Sequence, residues 1–274
     1  MIFAGFALLA VGAVDLVRQF VPRRWIGYLV ILVLLMVLGS VSDALLPMLG
    51  AILIAAAWAW TMPRDRDARA GFWPAVALAF IVALAVVWVG GRADAGMIGA
   101  AWDLSSPFGP IPFDLAVLVV GVTAFLLESG NLVVRAALSG EHTWRPADAG
   151  IAVERADLPD AASVATSAAT VHEADTGADA ESAEPVAPAP PLRGGFKGGR
   201  LIGPLERIIV LLLTLAMAYP ILAAMLAAKG IVRFPEISKD GETGARAEYF
   251  LVGSLVSWVI ALGAAFLVWW GVHS

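Results

Sequence analysis

Residues 25–62 read WIGYLVILVLLMVLGSVSDALLPMLGAILIAAAWAWTM, with Asp43 as their one charged residue. A helix needs roughly 20 mainly apolar residues to cross a hydrocarbon core of about 30 Å, and this stretch holds enough for two. Ser40, Ser42, Asp43 and Pro47 supply the polar and helix-breaking residues for a tight turn between them, with Asp43 placed to cap the second helix. A chain with such a segment is expected to have lipid as its main solvent.

Working outward, five more stretches have the same character, which gives seven candidate spans in all: Ile2 to Val17, Trp25 to Ser42, Ala44 to Met62, Phe72 to Gly90, Phe113 to Val134, Ile208 to Ala228 and Tyr249 to Val272. The composition agrees, since 60% of the 274 residues are hydrophobic, 15% are charged and the mean hydropathy is +0.83, far from the balance of a soluble domain. The fold class expected is therefore all-α, a polytopic helical membrane protein with seven transmembrane helices. Tryptophans at 25, 58, 60, 73, 88, 258, 269 and 270 fall near span ends and read as an interfacial aromatic belt.

Loop charges orient the spans. With the N-terminus outside and the C-terminus inside, 13 of the 18 Lys and Arg residues are cytoplasmic and 5 external, as the positive-inside rule favours. The connection from Lys229 to Arg246 goes against this trend, because it carries four of the five external cations. The first span starts without charge and leads into Asp15, Arg18, Arg23 and Arg24, so it reads as retained rather than as a cleaved signal peptide. Asp15 and Arg18, three residues apart, can pair on one face. Basic residues are nearly all Arg, and Ala, Gly and Val dominate, a bias that points to a bacterial plasma membrane.

Three parts follow from the pattern: a five-span bundle over 1–139, a linker over 140–198 and a two-span hairpin over 199–274. The window from Pro146 to Leu192 holds nine Asp or Glu against one Arg, with few aromatics and little periodicity; it cannot bury enough surface to offset ordering entropy and is expected to be a disordered cytoplasmic tether. The glycines that follow are no nucleotide loop, since no strand precedes them and no Gly-Lys-Ser/Thr closes them.

Two polar groups and one packing seam are candidate sites. In the fifth span Glu128 lies 14 residues beyond Asp114, about 21 Å along a helix, with Asn131 and Arg135 on its face; an ionisable residue at that depth is a functional hypothesis by default. Around the last two spans Arg207, Lys229, Arg233 and Glu248 form a candidate site for an anion, a lipid headgroup or a partner, with Glu248 expected to pair with Lys229 or Arg233. Gly253, Ser257, Ala261 and Ala265 recur every four residues along the seventh span, and Ala216, Pro220, Ala224 and Ala228 along the sixth. Small strips let helix backbones approach closely, so the two spans are expected to pack as a hairpin, with a kink at Pro220.

The blocks GRLIGPLER (199–207), AAKGIVRF (227–234) and AEYFLVGSLVS (247–257) resemble the C-terminal hairpin of an uncharacterised family of bacterial integral-membrane proteins. Gly199, Arg200, Ile202, Gly203, Leu205, Glu206 and Arg207 carry the first block; Ala227, Ala228, Lys229, Arg233 and Phe234 the second; Ala247, Glu248, Tyr249, Leu251, Gly253, Leu255 and Ser257 the third. Ser254 stands where that pattern has Thr. The resemblance implies topology and picks out residues, without an activity.

Chemistry is sparse. There is no cysteine, the three histidines (142, 172 and 273) fall in loops or at the tail, and neither Gly-x-Ser-x-Gly nor His-Glu-x-x-His occurs. The reading is a non-enzymatic scaffold or accessory subunit that binds anionic lipid or a membrane partner, with no cofactor, metal or nucleic acid. The alternatives are a transporter or channel for a small solute or proton that uses Glu128, and an intramembrane enzyme built on Glu128 and Asp15.

Overall fold

The computed structural model describes residues 1–62, 71–89, 92, 95–107, 109–140, 199–237 and 245–274. The linker expected over 140–198 lies outside them except for Gly140. Helices α1 (Ile2–Phe20), α2 (Arg24–Val41), α3 (Leu45–Thr61) and α4 (Trp73–Trp88) come first. A short α5 (Gly96–Ala101) leads to a ribbon of β1 (Ser105–Ser106) and antiparallel β2 (Gly109–Pro110). Then follow α6 (Phe113–Ala124), a π-helical turn (Phe125–Ser129), α7 (Gly130–Gly140), α8 (Gly199–Leu215), α9 (Tyr219–Ile237) and α10 (Ala245–His273).

The expectation of seven spans is corrected. Among the described residues four helical stretches are long and apolar enough to cross a membrane: Ile2–Phe20, Arg24–Val41, Phe113–Leu138 and Ala247–His273. They are consistent with a multi-pass membrane protein. Helices α3 and α4 are equally apolar but have 17 and 16 residues, about 24–26 Å at 1.5 Å per residue, short of the hydrocarbon core. The sixth expected span, 208–228, is two helices. Its N–H groups at Met217 and Ala218 bond back to the carbonyls of Thr214 (3.1 Å) and Leu213 (2.9 Å), and Met217 takes a left-handed φ of 55°. This is a Schellman cap, after which Pro220 enters the first turn of α9. The kink expected at Pro220 is thus a reversal of the chain. With the seven-span count goes the N-out, C-in orientation drawn from it.

The turn between α2 and α3 uses the same device. Asp43, at φ 49°, donates its N–H to the Ser40 carbonyl (3.3 Å), and Ala44 donates to Gly39 (2.8 Å). Asp43 therefore closes the first helix of its pair and does not cap the second, contrary to expectation.

The core is centred on α1, which packs most extensively on α6 and α3. Between α1 and α6 the backbones touch: a Cβ at Gly5 would stand 2.9 Å from the Leu118 nitrogen, and one at Gly12 2.6 Å from the Ala124 carbonyl carbon. The tightest small-residue contact thus lies between the first and fifth expected spans. Trp58, assigned to the aromatic belt, is buried instead.

Candidate functional site

The π-turn of residues 125–129 interrupts the one long helix of Phe113–Gly140. Here the Gly130 N–H reaches back five residues to the Phe125 carbonyl, and the extra residue rotates the following side chains relative to a regular helix. Such turns favour functional positions. Two buried polar clusters flank it.

On one flank lies Asp15, 1% exposed. Its Oδ2 accepts from Trp58 Nε1 at 2.9 Å and from Ser129 Oγ at 2.7 Å. Arg18 Nη1 stands 3.5 Å from Oδ1 and also donates to the Met62 carbonyl at 3.3 Å. The expected Asp15–Arg18 pair is present, but two neutral donors from other elements hold the carboxylate at shorter range.

On the other flank lies Arg207, 3% exposed. Its Nη1 donates to the Leu126 carbonyl within the π-turn at 2.9 Å, its Nη2 to Asn131 Oδ1 at 2.6 Å and its Nε to Ser257 Oγ at 3.1 Å. A Cβ on Gly130 would meet Nη1 at 2.9 Å, so the lack of a side chain there leaves room for the guanidinium. Glu128, 3% exposed, accepts from Asn131 Nδ2 at 3.4 Å and contributes, with Glu206, to the negative field on Arg207. The planar fork of arginine suits three fixed acceptors in a way that lysine does not. Two candidate groups read as separate in the sequence are therefore joined: Arg207 of the second donates to Asn131 of the first and lies in the field of Glu128. Arg135 points outward, with Nε 3.4 Å from the Asn131 carbonyl.

Lys229 lies beyond this cluster. Its Nζ contacts Glu206 Oε1 and Oε2 at 2.6 and 2.7 Å, and Trp258 Nε1 donates to the same carboxylate at 3.0 Å. The Trp258 and Phe250 rings stand 5.5 and 5.8 Å from Nζ, within cation–π range. Glu206 thus takes the place foreseen for Glu248, which is exposed; the Arg233 side chain lies outside the described part. Glu206 and Lys229 stand 11 and 12 residues either side of Met217, so folding at that residue brings them level. That near-symmetry was readable but unused.

The two halves of the expected seam do not meet. Ser257, Ala261 and Ala265 are buried, Ser257 on Arg207 of α8, and Gly253 is half-buried against Leu138 and Val134 of α7, whereas Ala224 and Ala228 on α9 are exposed.

A third polar cluster had no counterpart in the sequence reading. Arg92 makes a bidentate bond to Asp114 (2.9 and 3.2 Å) and donates to the Ser42 and Asp43 carbonyls (3.0 and 3.2 Å). It ties the α2 C-terminus to the start of α6.

Every described buried side-chain nitrogen and oxygen has a hydrogen-bond partner. Among the described residues no three His, Asp or Glu gather as metal ligands. Compared with known proteins, the chain matches no family model, no curated protein and no solved structure.

Proposed function

We propose that this chain is a non-enzymatic scaffold or accessory subunit of a bacterial plasma membrane, and that α9 is the element it offers to a membrane-protein partner. The observation that carries this reading is the pairing of Arg207 and Lys229 with internal acceptors while the face of α9 stays bare. Lys229 ties α9 to α8 through Glu206, and Arg207 ties α8 to the long helix and to α10, which leaves partner binding as the better-supported role over headgroup capture. Tyr219, Ile221, Ala224, Ala228, Ile231 and Val232 are exposed on α9, and a small-residue strip is what a second helix needs for close approach in lipid.

The test is native mass spectrometry of the protein extracted from its own membrane. A stoichiometric partner protein is expected on the wild type and is lost from an Ala224→Leu, Ala228→Leu double variant whose thermal stability is unchanged. A chain that runs alone in both forms overturns the reading.

A second reading is favoured by one specific observation, the burial of Asp15 against, and of Glu128 within, a π-turn inside a helix long enough to span. Intramembrane carboxylates are typical of proton and ion relays. Vesicles loaded with a pH-sensitive dye discriminate: proton movement abolished by Glu128→Gln supports transport, and an undissipated gradient with the wild type excludes it.

A further inference from the structure

Residues 21–23 are all that joins α1 to α2. Both helices are long and apolar enough to cross a membrane, so a turn this short between them stands at the level of the lipid headgroups. Arg23 and Arg24 lie there, both exposed. Phe20 before them and Trp25 after them are 68% and 69% exposed, and basic residues flanked by aromatic ones suit a membrane interface.

These two arginines differ from the other cations in having no partner. Arg18 is bonded to Asp15, Arg92 to Asp114 and Lys229 to Glu206, while Arg135 and Arg207 donate to backbone carbonyls. Among the described residues the guanidinium groups of Arg23 and Arg24 find neither a hydrogen bond nor an ion pair. The nearest acid before them in the chain, Asp15, is buried and already accepts from Arg18, Trp58 and Ser129. From Asp15 to Arg24 one acid stands against three arginines, a net charge of +2.

Two unneutralised guanidinium groups at headgroup level are complementary to a phosphate, which each planar fork can hold through paired N–H bonds. The neighbouring helix indicates where that phosphate comes from. Of the four long helices α2 is the most exposed. Trp25, Leu29, Val33 and Val37 recur along it every four residues and are all exposed, so an apolar strip leads away from the arginines into the hydrocarbon layer. Lipid tails joined to a headgroup at the turn would lie on this strip, and a free phosphate would make no use of it.

We infer that the α1–α2 turn is a binding site for one anionic phospholipid, with its phosphate on Arg23 and Arg24 and its tails along α2. This site is separate from the surface proposed on α9 and does not depend on it. The delipidated full chain in detergent is titrated with phosphatidylglycerol and, in parallel, with phosphatidylcholine of the same tails, whose own ammonium neutralises its phosphate; bound lipid is counted by native mass spectrometry. One phosphatidylglycerol is expected to bind in preference to phosphatidylcholine. Replacing both arginines (Arg23→Gln, Arg24→Gln) should weaken its binding about thirtyfold, at about fivefold per charge. Arg135→Gln is the control, because it removes another exposed cation, one that already has an acceptor; it should bind as the wild type does. Should the double variant fail to elute as a folded species, the single variants are read, each at about fivefold. Equal binding of the two lipids by the wild type overturns the inference, as does a double variant that keeps the preference or an Arg135→Gln variant that loses it as fully. Glycerol 3-phosphate carries the anion without tails, and its binding as tightly as phosphatidylglycerol would also overturn the inference, since α2 would then contribute nothing.

Discussion

Arg207 decides how the C-terminal part is joined to the rest. It carries a buried charge, places one hydrogen bond in the π-turn, one on Asn131 and one on Ser257, and so connects three segments that are distant in sequence. Removing one member of a buried charged cluster typically costs about 3–5 kcal/mol, because the remaining charge is left uncompensated. Arg207→Leu is expected to destabilise the protein by about that much in detergent unfolding. Adding Glu128→Gln removes the uncompensated acid and should recover part of the loss. Equal stability of the single and double variants would mean that Glu128 and Arg207 are uncoupled. Arg207→Lys should also destabilise, since a single ammonium cannot occupy three fixed positions.

At the scale of elements, the two Schellman turns place Asp43 and Met217 in the left-handed region, where a side chain is disfavoured by about 1–2 kcal/mol. Met217→Gly relieves that strain at an exposed position, and is expected to stabilise the fold by about 1 kcal/mol, read as a rise in melting temperature; a fall would show that Met217 makes contacts worth more than its backbone strain. The same turn shows what the sequence left unread. Apolar length is written in composition, so the four long helices were legible, as was the Asp15–Arg18 pair. Reversal at 216–218 was not, because its left-handed residue is Met and not Gly, and an apolar run gives no sign of where it folds back. Trp58 was misplaced for a related reason: proximity to a helix end suggests an interface, while burial depends on Asp15 arriving from another helix. The contacts of Arg207 with Leu126 and of Arg92 with Ser42 end on backbone carbonyls, which no residue type announces.

At the scale of the molecule, the α8–α9 hairpin changes which ends share a side. An unbroken span would carry Lys229 across the membrane from Glu206, whereas the salt bridge puts them together. Leu201 and Val232, exposed at the open end of the hairpin, should therefore be modified from the same side. The chain has no cysteine, so Leu201→Cys and Val232→Cys can be probed one at a time with a membrane-impermeant maleimide. Labelling of the two from opposite sides would restore a crossing between them. The return of Lys229 also removes a difficulty of the seven-span reading, in which a basic connection stood outside against the usual charge bias.

The bonds of Arg207 also impose an order in time. During synthesis Glu128 and Asn131 are made first, Arg207 follows more than 70 residues later, and Ser257 comes 50 residues after that. Until α10 is present the guanidinium lacks the acceptor for its Nε, and until α8 arrives the carbonyl of Leu126 lacks its charged donor. The N-terminal helices must accordingly stand without that guanidinium while the remainder is being translated, and α10 completes a site begun by the fifth apolar segment. Closure of this clamp thus waits on α10, long after the helix that holds its first acceptors has been made.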